Sequence, residues 1–147
     1  MKLIEGLLDY GKPWTLPDVY LFTGNGIIKK NGAIVMGRGA AKQVRDTYPG
    51  IDESFGAIIQ RKPNANIVWV SLPNDQHLGW FKVKDHWIEP AKLELIQIST
   101  ERLRVLATNK KKITFHMNYP GIGNGKLSIA DVGIILSTLP DNVRIYK

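Results

Sequence analysis

Short apolar runs of strand type alternate along this chain with segments of helical period, and that alternation restricts the fold more than any single motif does. Lys2–Ile4, Val19–Phe22, Ala57–Gln60, Ile67–Val70, Ile113–Met117 and Val143–Tyr146 read as strands, rich in β-branched and aromatic residues. Gly39–Thr47 reads as a helix stopped by Tyr48-Pro49-Gly50, because proline cannot donate to the ladder and glycine tolerates the left-handed stop. Glu89–Thr108 is the longest helical pattern, with Leu93, Ile96, Leu103 and Leu106 near one face. Ser128–Ser137 reads as the last helix, with Ser128 as N-cap and Asp131 as its acidic partner three residues on. The pattern predicts a three-layer α/β/α sandwich with a mixed central sheet, in a single domain spanning residues 1–147.

Composition narrows the function classes. A chain of 147 residues with 44% hydrophobic and 22% charged residues can bury a sizeable core and is of ordinary globular type. It has no cysteine, hence no disulfide framework, thiolate nucleophile or cysteine metal site. No run is long enough for a membrane span, and the start MKLIEGLLDY lacks the pattern of a secretion signal, so a cytoplasmic location without a membrane partner is expected. The net charge of +7 includes one dense run, Asn109-Lys110-Lys111-Lys112. That run reads either as a solvated turn or as part of a general attraction for polyanions, nucleic acid or a phosphate-bearing small molecule. Charge alone does not choose.

In open α/β sheets, ligands bind beyond the carboxyl ends of the strands. Three loops occupy such places: TGNGIIKKNGAIVMGRG after Val19–Phe22, SLPNDQHLGWFKVKDHW after Ile67–Val70, and NYPGIGNGK after Ile113–Met117. Two are glycine-rich and lead into helices, which suits backbone N–H donation to anionic oxygen, most often phosphate. Neither is a standard phosphate motif. Gly121 to Gly125 encloses too few residues for a P-loop, and Lys126 is followed by Leu127. Gly24-Asn25-Gly26 and Gly37-Arg38-Gly39 each meet lysine, at Lys29 and Lys42, where a dinucleotide fingerprint needs its third glycine. Tight turns alone would explain one such loop; two on neighbouring strand ends favour a ligand.

These loops resemble those of the macro domains, the ADP-ribose-binding modules, and the resemblance runs from Ile4 to Tyr146. Asp18-Val19-Tyr20-Leu21-Phe22-Thr23-Gly24-Asn25-Gly26 is similar to the family's strand and asparagine-containing loop. Val35-Met36-Gly37-Arg38-Gly39-Ala40-Ala41 is similar to its glycine-rich turn and helix start. Tyr119-Pro120-Gly121-Ile122-Gly123-Asn124-Gly125 resembles its second phosphate loop. The pattern NG-x-x-KKNG-x-x-VMGRG-x-A resembles a compact, often phage or bacterial, branch, itself similar to the macro domains of toxin–antitoxin systems that remove ADP-ribose from DNA. The resemblance implies a macro-domain sandwich that takes ADP-ribose or a derivative as partner. It implies that Asn25, flanked by Gly24 and Gly26, touches the distal ribose. Gly37, Arg38 and Gly39 are then expected at the diphosphate and ribose, with Pro120, Gly121, Ile122, Gly123, Asn124 and Gly125 around its other side. Arg38 reads equally as a solvated charge.

Three departures from the family pattern stand out. Gly6 is followed by Leu7 and Leu8 where many members carry an adenine-binding aspartate, leaving Asp9 as a displaced candidate. The last loop carries Asn124, Gly125 and Lys126 where the antitoxin-like relatives have an acidic residue, and the double-glycine turn is Gly-Arg-Gly. In the middle loop, Lys84 resembles a lysine that is catalytic in some relatives, although a surface lysine is the plainer reading. His86 has the chemistry of a general acid or base, or of a structural hydrogen-bonder. Trp80, Phe81 and Trp87 suit stacking on adenine, capping a pocket, or core packing. His77, His86 and His116 lack metal-ligand spacing, and neither a metal nor a cofactor is expected. The expected function is ADP-ribose binding with hydrolysis of a derivative, such as ADP-ribose 1″-phosphate or an ADP-ribosyl adduct; the alternative is a non-catalytic ADP-ribose or nucleotide-binding module.

Overall fold

The computed structural model describes residues 1–15 and 17–147. Within them, β1 (Lys2–Ile4), β2 (Val19–Asn25), β3 (Ile67–Ser71), β4 (His77–Lys84), β5 (Phe115–Asn118) and β6 (Val143–Tyr146) form one sheet. The spatial order is β1-β6-β5-β2-β4-β3. All neighbouring pairs are parallel except β3 with β4, so the sheet is mixed. The helices are α1 (Gly39–Thr47), α2 (Ile51–Arg61), α3 (Leu93–Asn109) and α4 (Ile129–Leu136).

Strand alternation sends side chains to two cores, one on each face of the sheet. Phe22, Leu78 and Trp80 meet Val44, Phe55 and Ile59 of α1 and α2, together with Leu8, Tyr10 and Trp14 from the segment after β1. Val19, Leu21, Phe81, Phe115, Met117, Val143 and Ile145 meet Ile96, Leu103, Val132 and Leu136 of α3 and α4 on the other face. Three layers result, as the alternation of elements predicts.

Two local expectations are corrected. Ala57–Gln60 is not a strand but lies inside α2, whose buried Ile51, Phe55 and Ile59 recur every four residues. A short apolar run fits either element, and the wider helical period decides it here. The interior strand β4 lies within a segment that reads as a loop. Its Gly79 and two lysines hide the signal, although the strand is buried through Leu78–Phe81. Gly79 is required because a Cβ there would collide with the Leu21 side chain on the neighbouring strand.

A helix boundary shifts as well. Helix α3 begins at Leu93 rather than Glu89, because Pro90 interrupts the approach and the backbone is used elsewhere. Ala91 N–H donates to Gly125 O (3.0 Å) and Lys92 N–H to Val83 O (2.9 Å), which fastens this loop to the end of β4 and to the turn before α4. In α4, Ser128 is the N-cap and its Oγ accepts from Asp131 N–H at 3.3 Å.

Candidate functional site

A pocket of about 470 Å³ opens above the C-terminal ends of β2, β4 and β5. Its first wall is the end of β2, Thr23 to Asn25, with Val35 and the turn Gly37-Arg38-Gly39 that starts α1. Tyr119, Gly121, Ile122, Asn124 and Gly125, between β5 and α4, form the facing wall. Val83, Lys84 and Trp87 close one side, and Asn118, Ala40 and Ala41 complete the lining. Of the expected residues, Gly24, Asn25, Gly37, Arg38, Gly39, Lys84, Gly121, Ile122, Asn124 and Gly125 converge here.

Others lie off the lining. Asp9 is turned toward its own segment and α1, accepting from Gly11 N–H (2.9 Å) and Gln43 Nε2 (3.2 Å), with Lys12 Nζ at 3.9 Å. His86 Nδ1 accepts from Ile88 N–H at 3.2 Å, and its ring lies 5.6 Å from that of Trp87. Gly26 donates its N–H to Asp85 O at 3.3 Å, Pro120 is buried, and Gly123 is exposed in a single 3₁₀ turn.

The glycines divide by physical cause. At Gly24 a Cβ would run into the Trp80 indole. At Gly121 it would meet Ile96 Cδ1 and Leu127 Cδ1, and at Gly125 the Ala91 Cβ at 2.9 Å. Those positions are glycine because the protein packs against them. Gly39 (φ +56°) and Gly121 (φ +79°) also occupy the left-handed region. Gly37 differs. It lines the pocket, lies outside the left-handed region, and a Cβ built there has no atom within 4 Å. Nothing inside the protein requires glycine at that position.

Asn25 is 6% exposed and carries more structure than a loop asparagine needs for a ligand alone. Its Nδ2 donates to Val35 O (3.3 Å) and its Oδ1 accepts from Ile27 N–H (3.0 Å), so the amide ties the end of β2 to the segment ahead of the glycine turn. One Nδ2 proton and one Oδ1 lone pair stay free for a substrate hydroxyl. The side chain therefore holds the local fold as well as facing the pocket.

Lys84 Nζ donates to Trp87 O (3.2 Å) and Glu89 O (3.1 Å), which spends two of its three protons on the loop that follows β4. Burial, and next the Arg38 charge, push its pKa below the ordinary lysine value, against a smaller opposing effect of Glu89. Arg38 and Lys84 are, among the described residues, the only charged side chains on the lining, and both are cationic. Among the described residues, no group of three or more His, Cys, Asp or Glu side chains could hold a metal ion.

Thr23, Trp87 and Asn118 also line the pocket, whereas Trp80 and Phe81 are packed in the core. Asn118 is the first polar residue at the carboxyl end of β5, a position that marks ligand contacts in parallel sheets. Its Oδ1 accepts from Leu8 N–H at 2.9 Å and so fixes the segment after β1 beside the pocket.

The glycine-walled cleft lies across adjoining parallel strand ends inside an α/β/α sandwich, the place where open α/β sheets take their ligands. The fold is that of the macrodomains. The macrodomain of Thermus aquaticus DarG is 20% identical, with a TM-score of 0.75, over 99% of this chain and 95% of that one. The macrodomain of Mycobacterium tuberculosis DarG is 25% identical, with a TM-score of 0.72, over 98% and 96%. Thermosipho africanus DarTG, solved in complex with ADP-ribose, is 18% identical with a TM-score of 0.72; the match covers 87% of this chain but 37% of that longer one. No protein-family model and no curated protein matches the sequence.

Proposed function

We propose that the pocket binds ADP-ribose, with the Gly37–Gly39 and Gly121–Gly125 turns around the diphosphate and Asn25 at the distal ribose. The observation that carries this reading is the lining itself: two opposed glycine turns, two cations, and no carboxylate. Neutral N–H donors and unpaired cations suit a doubly charged, flexible anion, and a carboxylate would repel it. The ADP-ribose bound to the DarTG neighbour supports the same reading.

The protein then hydrolyses an ADP-ribose derivative, ADP-ribose 1″-phosphate or an ADP-ribosyl adduct, by direct attack of water. Water adds to the phosphorus or the anomeric carbon, the bond to the departing group breaks, and the proton released by water leaves with that group or to solvent. Asn25 orients the ribose hydroxyls with its free proton and lone pair. For Lys84 to act as nucleophile it must lose a proton and leave both carbonyls that hold it, so its assigned role is to fix the Trp87 loop and add positive charge. His86 lies off the pocket lining and receives no step. A second reading, a non-catalytic ADP-ribose-binding module, is favoured by the lack of any carboxylate on the lining to serve as general base.

Calorimetry with ADP-ribose, ADP and adenosine tests the binding claim, which fails if adenosine binds as tightly as ADP-ribose. Turnover assays on a panel of ADP-ribose derivatives then separate hydrolase from binder. Binding without turnover of any panel member selects the module.

A further inference from the structure

The outer face of α3 carries a feature that the pocket does not use. Ile98 (46% exposed) on α3 and Ile134 (74%) on α4 leave apolar surface open to water along the groove between the two helices, a groove of about 910 Å³. Adjacent exposed aliphatics of this kind mark contact surfaces more often than isolated ones do.

The charges around Ile98 say what fits. Glu94 and Arg102 lie four residues before and after it on the same helix face. Each is therefore about 6 Å along the helix axis from Ile98, in opposite directions. Among the described residues neither side chain has a hydrogen-bond or ion-pair partner, whereas Glu101 beside them is taken by Arg104 (2.9 and 2.5 Å). A stripe reading acid–isoleucine–base is complementary to itself when reversed. Two α3 helices laid antiparallel about a two-fold axis through Ile98 place Ile98 on Ile98 and each Glu94 opposite the other copy's Arg102.

We propose that this face is a two-fold interface between copies of the chain. Ile134 flanks the central contact and is covered with it. One long and one short helix offer less than the 20–30 residues a side, roughly, of a standard interface, so the dimer is weak and forms in the micromolar range, about 1–100 μM. No residue of the groove lines the ADP-ribose pocket, so both pockets stay open in the dimer.

Sedimentation velocity on the full chain tests this, at about 0.15 M salt so that the repulsion between two copies of net charge +7 is screened over roughly 8 Å. The expected result is a shift from 16.5 kDa to twice that mass as concentration rises. Ile98→Lys abolishes the shift and leaves the melting temperature unchanged, since Ile98 is already half in water. Glu94→Arg and Arg102→Glu each weaken the dimer about tenfold, because symmetry converts two attractions into two repulsions. The double variant restores it. A chain that stays monomeric up to about 1 mM, a dimer indifferent to Ile98→Lys, or a double variant no tighter than the singles overturns the proposal. ADP-ribose binding measured on the same variants stays at the wild-type value, so failure of the interface and failure of the pocket reading are told apart.

Discussion

Gly37 offers the cleanest perturbation of the pocket. Its backbone lies outside the left-handed region and a Cβ meets no atom within 4 Å, so Gly37→Ala and Gly37→Val should fold as the wild type does. Stability should change by no more than about 0.5 kcal/mol, and in the favourable direction if the unfolded chain loses freedom. The added atoms enter a cavity of about 470 Å³, on the wall assigned to the diphosphate. A hydrogen bond from a backbone N–H to a charged phosphate oxygen contributes about 1.5–3 kcal/mol. Displacing the diphosphate from one such donor therefore weakens ADP-ribose about 10- to 100-fold, with valine worse than alanine. Calorimetry with ADP-ribose and adenosine, beside a thermal melt, reads both halves of the expectation. Adenosine has no diphosphate, and its affinity should hold. Gly37→Val binding ADP-ribose within about twofold of wild type would remove this turn from the diphosphate site. A variant that lost both stability and binding would refute the open-space argument itself.

Three further outcomes are expected. Asn25→Ala leaves Val35 O and Ile27 N–H without their partner, costing about 1–3 kcal/mol and roughly 3–10 °C in melting temperature, and it abolishes any turnover in the fraction still folded; an unchanged melt shows that the two bonds do not matter. Lys84→Ala frees the Trp87 loop, so amide exchange over residues 85–91 should quicken while turnover falls only modestly and reduction traps no adduct on the wild-type lysine; a trapped mass increase on Lys84 refutes water attack. His116 is held below the ordinary histidine pKa of 6.5, chiefly by burial and against the Asp18 carboxylate 2.8 Å from its Nε2. The unfolded chain thus binds the proton more readily, and stability should fall as pH drops from 6.5 through the folded-state value, by at most about 1.4 kcal/mol per pH unit from this group. Denaturant midpoints for wild type and His116→Gln across that range check it; equal slopes put the pH dependence elsewhere.

The layered fold was legible because apolar strands and helical periods were placed in alternation; β1, α1 and β6 stand where those signals put them, and β2 starts where expected but runs on to Asn25. The failures share a cause. Whether Ala57–Gln60 is a strand, or His77–Lys84 a loop, depends on contacts far away in sequence: Phe55 against Phe22 in the first instance, Gly79 under Leu21 in the second. Local propensity holds no record of either contact. The helix read from Glu89 likewise ran through Pro90, whereas residues 91 and 92 hydrogen-bond to Gly125 and Val83, on elements that only the fold brings near.

The site shows the same division in a sharper form. The glycine turns were readable as a place where backbone meets ligand, but which glycines meet it was not. Gly24, Gly121 and Gly125 answer to Trp80, Ile96 and Ala91, partners at least 25 residues distant, and each would be glycine in a protein that bound nothing. Only Gly37 lacks such a partner and still faces the cavity. A position kept small with no neighbour to require it is best explained by a molecule that the protein must admit. The same reasoning reassigns Lys84. Sequence places it beside Asn25 in role, and the sheet places it beside Asn25 in register, but its ammonium is committed to two carbonyls of its own loop. On the proposed reading, Lys84 therefore holds that loop and adds positive charge beside a ligand bound by neutral donors, rather than serving as a nucleophile.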